Sequence, residues 1–431
     1  MASSTAPESA DERALRRRGL TLALLTITYF FSYMDRQILA ILLELIKADL
    51  RLTDTQLGLL SGLAFAIFYA TLGVPVARLA DRSNRRNIIA VALALWSAMT
   101  ALCGLAQNFA QLLLARIGVG VGEAGSSPPS HSIIADLYPP EKRAGAMAIY
   151  STGVVLGGGF GTMIGGYVAS LYGWRWAMVV VGVPGILLAL FVWAFVVEPR
   201  RGLSDPARAA DTSPMPSVGS AFAAMWANKP AFHLVMAVTI TSMIGYALAG
   251  WGPSFLQRSL SYSVREVALI FAPLAAVAGT VGGLAGGAIA NRAAARYGLH
   301  AQSWMVAVLK LVALPFMIGF YLTESQSLAM VFYVLNYLFA SSYLGPTFAL
   351  IQSLAPLRMR AMWAAVTLLV INLIGLGLGP TLIGILSDLL RPVTGPEESL
   401  RWALVAVGSA TPWAIWHYWR AGVLLRRAPA D

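Results

Sequence analysis

Long apolar stretches alternate with short polar ones along almost the whole chain. Runs of about 20 mostly apolar residues, the length that an α-helix needs to cross the hydrocarbon core of a bilayer, recur along the sequence. Twelve such runs are centred near residues 33, 67, 97, 123, 157, 187, 243, 278, 311, 341, 373 and 411. The pattern predicts an all-α membrane protein with twelve transmembrane helices.

The longest polar stretch, from Glu198 to Ser220, separates the sixth predicted helix from the seventh and is rich in proline, serine and charge. It divides the chain into two six-helix bundles. We expect these bundles at residues 20–197 and 229–425, joined by a cytoplasmic linker at 198–228, with cytoplasmic tails at 1–19 and 426–431.

The two halves repeat each other in sequence. The segment "ARLADRSNRR" after the second predicted helix returns as "GAIANRAAAR" after the eighth, which places Asp81 opposite Asn291 at an offset of 210 residues. The segment "YPPEKRA" after the fourth helix returns as "APLRMRA" after the tenth, which places Pro139 opposite Pro356 at an offset of 217. Such duplication is typical of transporters built from two pseudo-symmetric six-helix bundles.

Composition and charge agree with a membrane protein. Of all residues, 58% are hydrophobic and only 12% are charged, against about 25% charged in soluble domains. On the twelve-helix plan, 21 of the 28 Lys and Arg residues outside the membrane lie on the side that holds both termini. The positive-inside rule makes that side cytoplasmic. The net charge of +11 therefore reports topology, and no nucleic-acid partner is expected. We expect the protein to lie in a bacterial inner membrane.

Several classes of function are disfavoured. The chain has one cysteine, four scattered histidines without metal-ligand spacing or a nucleophile–base pairing, and no glycine loop with a lysine for phosphate. We expect no enzyme, no cofactor and no metal site. The energy source would be an ion gradient rather than ATP, and the protein is expected to be a monomer.

Charged side chains inside the membrane are the candidates for chemistry. The first helix carries Asp35 and Arg36, and the fourth carries Arg116 and Glu123, two turns or about 10 Å apart. Each would cost roughly 2.5–3.5 kcal/mol at a helix centre facing lipid, so we expect the four to face one another. Asp35 and Glu123 are predicted to carry protons, with Arg36 and Arg116 as counter-ions and head-group anchors. The alternative is a purely structural ion-pair cluster.

The second half contains fewer ionisable groups. Its intramembrane lysine, Lys310, is interpreted as a side chain that snorkels to an interface or lies in a peripheral groove. The candidate groups for the substrate cavity are Thr241, Ser242, Tyr246, Asn336, Tyr337 and Asn372. Hydrogen bonding between helices is the alternative role for most of them. A charged first half and a mainly apolar second half suit a substrate with a charged head and an apolar tail.

The segment "ARLADRSNRRN", residues 77–87, resembles the signature that major facilitator superfamily transporters carry between their second and third helices. The charged positions are matched by Asp81, Arg82, Arg85 and Arg86, while Ala77 and Asn84 replace two glycines. The resemblance implies a cytoplasmic gate formed by Asp81, Arg82, Arg85 and Asp136. Asp81 would meet the positive end of helix 11, and Arg85 would pair with Asp136. A solvated loop kept for topology is the alternative.

Four further motifs resemble the Spinster branch of that superfamily. They are "YMDR" in helix 1, "RIGVGVGEAG" and "IIADLYPPEKRA" in and after helix 4, and "WGPSFL" in helix 7. Because eukaryotic Spinster proteins move sphingosine phosphate or lysophospholipids, the resemblance implies proton-coupled transport of an amphipathic, lipid-like anion, with membrane lipid as surroundings. Two alternatives stay open: a transporter of small organic anions or drugs, and an energy-independent lipid scramblase.

Overall fold

The computed structural model describes residues 9–204, 217–356 and 359–427. These residues form helices and short turns, and none of them lies in a β-strand. Part of the predicted linker (205–216) and the ends of both predicted tails (1–8 and 428–431) lie outside the described residues.

Six long helical segments precede the linker, after a short helix Ala10–Arg16 whose N-terminus is capped by Ser9. The segments are α1 (Arg18–Leu50), α2 (Asp54–Arg82), α3 (Arg85–Cys103), α4, α5 (Pro140–Tyr172) and α6 (Trp174–Phe195). The fourth is broken into α4a (Phe109–Glu123) and α4b (Ser127–Leu137).

Six more follow the linker helix Val218–Ala227. They begin with α7 (Lys229–Arg258), α8 (Val264–Tyr297) and α9 (His300–Leu322), and continue with a broken helix of parts α10a (Gln326–Ala340) and α10b (Leu344–Leu354). α11 starts at Arg360, is π-helical over Ile371–Leu378, and ends where Gly395 adopts a φ of +82°. α12 runs from there through Thr411–Arg427.

Among the described residues, nine helical stretches are long and apolar enough to cross a membrane by themselves. The other predicted helices do not meet this criterion of length and apolar composition as separate helices, and the reason can be given for each. Asp35 and Arg36 interrupt the apolar run of α1, the break divides α4 into parts of 15 and 11 residues, and α11 and α12 form one continuous stretch of 66 residues from Met362 to Arg427.

The chain groups into two compact units. The first comprises Met1–Ile38 and Ile67–Ser213, and the second comprises Leu39–Ala66 and Pro214–Asp431. The later boundary falls inside the predicted linker, whereas the C-terminal part of α1 and the N-terminal part of α2 group with the second unit. The assignment of bundles to residues 20–197 and 229–425 stays a prediction.

In the first unit, glycines allow α5 to lie directly against the backbone of α1. A Cβ atom added to Gly157 would lie 2.2 Å from the carbonyl oxygen of Phe30, and one added to Gly161 would lie 2.7 Å from that of Met34. In lipid, where close packing replaces the hydrophobic effect as the cause of helix association, such smooth faces stabilise helix pairs. This contact sets the position of α1 next to Asp35.

In the second unit, α12 packs against α7 and α9, and α11 packs against α7 and the start of α2. Glycines again mark the closest approaches. A Cβ atom on Gly379 would lie 2.5 Å from the carbonyl oxygen of Met243, and one on Gly58 would lie 2.8 Å from that of Pro380. The same kind of backbone contact therefore occurs in both units.

The breaks in α4 and α10 occupy the same place in the sequence repeat. α4a and α10a both have 15 residues, and α4b and α10b both have 11. Their first residues, Phe109 and Gln326, are 217 positions apart, the offset already seen in the sequence. In transporters built from repeats, helices interrupted at corresponding positions of the two halves point to the binding region.

Candidate functional site

The two intramembrane carboxylates are buried within the first unit. Asp35 on α1 and Glu123 on α4a are each 1% exposed. Glu123 is the last residue of α4a, and α4b begins at Ser127 with prolines in its first turn, where their missing N–H groups are tolerated. The break therefore places an acidic side chain at a helix end.

Glu123 is bound through one of its two oxygens. Its Oε2 atom accepts hydrogen bonds from Arg36 Nε at 2.8 Å and from Ser32 Oγ at 2.7 Å, and Arg36 Nη2 lies 2.7 Å from the same atom. Oε1 is buried and has no hydrogen-bond partner among the described residues. The carboxylate is thus held firmly on one side only.

Two tyrosine rings hold the guanidinium of Arg36. Its Cζ atom lies 4.9 Å from the ring centroid of Tyr33 and 4.5 Å from that of Tyr69. Cation–π contacts of this kind are attractive, and more so where water is excluded. They stabilise the charge of Arg36 independently of Glu123. The sequence does not single out either tyrosine, because a tyrosine in an apolar run is usually a packing residue.

Asp35 has a different environment from Glu123. Its Oδ2 atom accepts a hydrogen bond from Thr100 Oγ1 at 3.0 Å, while Oδ1 is buried without a partner among the described residues. Asp35 interacts electrostatically with Glu123 and with the buried Arg116. The structure thus brings the four predicted groups together and gives the close ion pair to Arg36 and Glu123.

The predicted gate residues divide into a buried and an exposed pair. Arg85 is fully buried and pairs with Asp136, as expected from the sequence. It also donates to Glu198 Oε1 at 2.6 Å and to the carbonyl oxygen of Pro199 at 2.8 Å. Asp81 and Arg82 are exposed at the end of α2. The role of the four as a gate stays a prediction.

Sequence reasoning missed Glu198 because it assigned that residue to a polar linker. The structure shows that the beginning of this segment is tied to the first unit. Backbone N–H groups of Arg86 and Gly202 donate to Glu198 and Asp136 at 2.9 Å and 3.0 Å. The segment is therefore anchored where it leaves α6.

The predicted cavity groups of the second unit are spread over several contacts. Ser242 is buried and its hydroxyl lies 3.2 Å from that of Tyr343, and Thr241 is also buried. The half-buried members are Tyr246, Asn336, Tyr337 and Asn372. Asn372 lies in the π-helical part of α11, a type of irregularity often found at functional sites. Their role in a cavity stays a prediction.

The interpretation of Lys310 as a snorkelling or peripheral side chain is wrong. Lys310 is 8% exposed, and its Nζ atom donates to the carbonyl oxygen of Ala340 at 2.8 Å. Ala340 ends α10a, so the lysine binds a carbonyl group at the helix break. The second half therefore has an ionisable group inside it rather than only an apolar wall.

A buried ionic network in the second unit was not predicted. Asp54 at the start of α2 is 1% exposed and accepts bonds from Lys47 at 2.6 Å, Arg258 at 2.8 and 3.0 Å, and Ser387 at 2.7 Å. Arg258 also pairs with Glu44 at 2.7 Å. The network ties residues 39–66 to α7 and α11.

Two of the four histidines, which look scattered in the sequence, meet in the structure. The Nδ1 atoms of His233 on α7 and His417 on α12 lie 2.9 Å apart, so one ring donates to the other. Within the described residues no group of three or more potential ligands could hold a metal ion. The histidine pair joins two helices of the second unit.

Comparison with known proteins places these features in a family. The family model of the Major Facilitator Superfamily matches residues 25–380. An MFS-type efflux pump of Mycolicibacterium smegmatis is 34% identical over 424 residues, which cover 97% of this chain and 96% of that protein. Protein spinster homolog 1 of Xenopus tropicalis is 30% identical over 405 residues, which cover 87% of this chain and 74% of that protein.

A solved structure supports the same family assignment. The crystal structure of a bacterial homolog to the human lysosomal transporter Spinster, in an inward-facing and unoccupied conformation, has a TM-score of 0.85 and 32% identity, covering 96% of this chain and 99% of that one. The chain belongs to the major facilitator superfamily and to its Spinster branch. The predicted twelve-helix fold is confirmed, and the protein is a multi-pass membrane transporter rather than an enzyme.

Proposed function

We propose that this member of the superfamily is a proton-coupled secondary transporter that carries an amphipathic, lysolipid-like or sphingolipid-like anion by alternating access. The observation that carries the proposal is the hydrogen bonding of the carboxyl groups of Asp35 and Glu123. Each has one engaged oxygen and one buried oxygen without a partner among the described residues. A buried carboxyl oxygen of this kind is stabilised by a proton, or by a hydrogen bond from water or ligand.

Protonation would change what Arg36 can bind. Its pairing with Glu123 uses the negative charge on Oε2, and a proton on Glu123 weakens that attraction. Tyr33 and Tyr69 keep the guanidinium in place while it accepts a new partner. An anionic head group is the natural replacement. We propose that proton uptake and anion binding are coupled in this way.

The lipid-like substrate is proposed from the Spinster relatives. The distribution of Lys and Arg supports cytoplasmic termini in a bacterial inner membrane, and we propose a monomer that exchanges protons and substrate. The M. smegmatis efflux pump, similar along 97% of this chain, favours a second candidate, export of small organic anions or drugs. An energy-independent scramblase is the candidate of another class, and it would ignore a pH gradient.

The test uses proteoliposomes loaded with a fluorescent lysolipid, with and without a pH gradient. Asp35→Asn and Glu123→Gln keep the size of each side chain and mimic its protonated form. We expect folded variants that bind substrate. In at least one of them, uphill transport should fall by about tenfold or more, as is typical when a positioned proton carrier is lost, while exchange at zero gradient is better preserved.

Glu141→Gln at the exposed start of α5 is the matched control, because it removes a carboxylate outside the site. It should transport as the unaltered protein does. If both site variants concentrated substrate with an unaltered dependence on the gradient, the four charges would have only a structural role. If the unaltered protein ignored the gradient, the scramblase would be the better explanation.

A further inference from the structure

Lys310 is a buried basic side chain that the proposed mechanism above does not use. It donates to Ala340, and its Nζ atom lies 4.3 Å from the ring centroid of Tyr343. No carboxylate of the described residues forms an ion pair with it, although an ammonium group has three N–H donors. Burial of a charge is costly unless it is paired. The ammonium group of Lys310 therefore lacks a formal counter-ion among the described residues.

The position of Lys310 connects it with the helix break in α10. Ala340 is the last residue of α10a, and Tyr343 directly precedes α10b. This break corresponds in the repeat to the one that follows Glu123. Ser242 of α7 reaches the same place, because its hydroxyl lies 3.2 Å from that of Tyr343. Three helices thus meet at a point that repeat architecture marks as a binding region.

The chemistry at the break favours an anion. The carbonyl oxygen of Ala340 carries only a partial negative charge, as do all carbonyl groups at a helix C-terminus. A carboxylate or phosphate oxygen would form a stronger, charge-assisted hydrogen bond to the same ammonium group. The ring of Tyr343 would keep the ammonium in place during the exchange. An uncharged amphiphile has no anionic oxygen to offer the ammonium group of Lys310, so this contact would not increase its affinity.

We propose that Lys310 is an anion-binding residue of the transport cycle, which takes a carboxylate or phosphate group of the substrate at the break in α10. The inference rests on the proposed function and deepens it, since it assigns an anion-recognising group to the second unit. It also makes head-group charge, rather than tail length, the property that Lys310 recognises.

The experiment compares two lipids with the same acyl chain, 1-oleoyl lysophosphatidic acid and uncharged 1-monoolein. Binding to the purified protein is measured by tryptophan fluorescence. Lys310→Met removes the charge and keeps the length, and Lys310→Arg keeps the charge. Ser303→Ala is the matched control, because Ser303 lies two turns earlier on the same face of α9 and donates to the carbonyl oxygen of Tyr418 at 2.6 Å.

We expect Lys310→Met to raise the half-saturating concentration of lysophosphatidic acid by about tenfold or more, as for the loss of a hydrogen bond to a charged group. Binding of monoolein should change by less than about twofold, because the acyl chain makes no use of the charge. Lys310→Arg should retain most of the affinity for lysophosphatidic acid, and Ser303→Ala should bind both lipids as the unaltered protein does.

Four outcomes would overturn the inference. Unchanged binding of lysophosphatidic acid by a folded Lys310→Met variant would do so while leaving the proposed function intact. Equal losses for both lipids, or the same loss in Ser303→Ala, would reduce Lys310 to a packing residue. If the unaltered protein bound neither lipid, the proposed substrate class would fail and the inference with it.

Discussion

Replacing Gly157 with alanine should destabilise the first unit, whereas the same change at Gly158 should not. A Cβ atom at position 157 would lie 2.2 Å from the carbonyl oxygen of Phe30 and 3.0 Å from its C and Cα atoms. A Cβ atom at position 158 would meet only Gln37, at 3.7 Å. Because the atoms at 157 belong to backbone, α1 and α5 would have to separate by about 1 Å to restore van der Waals contact.

The magnitude follows from two opposing effects. Overpacking a well-packed contact costs about 1–3 kcal/mol. Alanine in place of glycine within a helix contributes about 0.5–1 kcal/mol of stability at either position. Since that second effect is common to both variants, the difference between Gly157→Ala and Gly158→Ala should be about 1–3 kcal/mol in the free energy of unfolding.

The assay is thermal unfolding of the two purified variants in one detergent, at one heating rate because membrane proteins of this size rarely unfold reversibly. Gly157→Ala should have the lower apparent Tm. It should also lose more uphill transport, because α1 carries Asp35 and Arg36 shortly after Phe30. Equal Tm values for the two variants would refute the conclusion that α5 touches the backbone of α1 at this point.

The apolar runs predicted the helices well because burying backbone in lipid leaves so few alternatives to a helix. The same reasoning identified the charged groups of the first unit, since a charge in an apolar run requires a partner. Which arginine pairs with Glu123 could not be predicted. That choice depends on Ser32 and Tyr33, which lie on the same helix as Arg36, and on the ring of Tyr69 from α2, a contact that the sequence does not show.

Other features depend on contacts that no local pattern reports. Lys310 looked able to snorkel because the sequence does not show that its ammonium group reaches the carbonyl group of Ala340 at the end of α10a. Asp54 and Arg258, 204 residues apart, each resembled an ordinary charge at a helix end. Gly345 and Pro346 in the first turn of α10b, together with the repeat offset of 217 residues, could have suggested the break in α10 once the break in α4 was known.

Two predictions remain, on topology and on the ionic network of the second unit. A cysteine placed at Ser213 should resist an impermeant thiol reagent added outside intact cells, because the charge distribution makes the linker cytoplasmic, and rapid labelling would contradict that orientation. Asp54→Asn should make local unfolding of residues 39–66 easier. The reason is that Arg258 and the other donors to Asp54 lose a buried carboxylate. A lost bond to a charged group is worth about 1.5–3 kcal/mol, so amide hydrogen exchange in residues 39–66 should accelerate by about tenfold or more. Glu398→Gln is the control, because it removes an ion pair of similar chemistry, at 3.2 Å from Arg401, that stays within one helix. Exchange that is no faster in Asp54→Asn than in Glu398→Gln would mean that apolar packing alone holds these residues in the second unit.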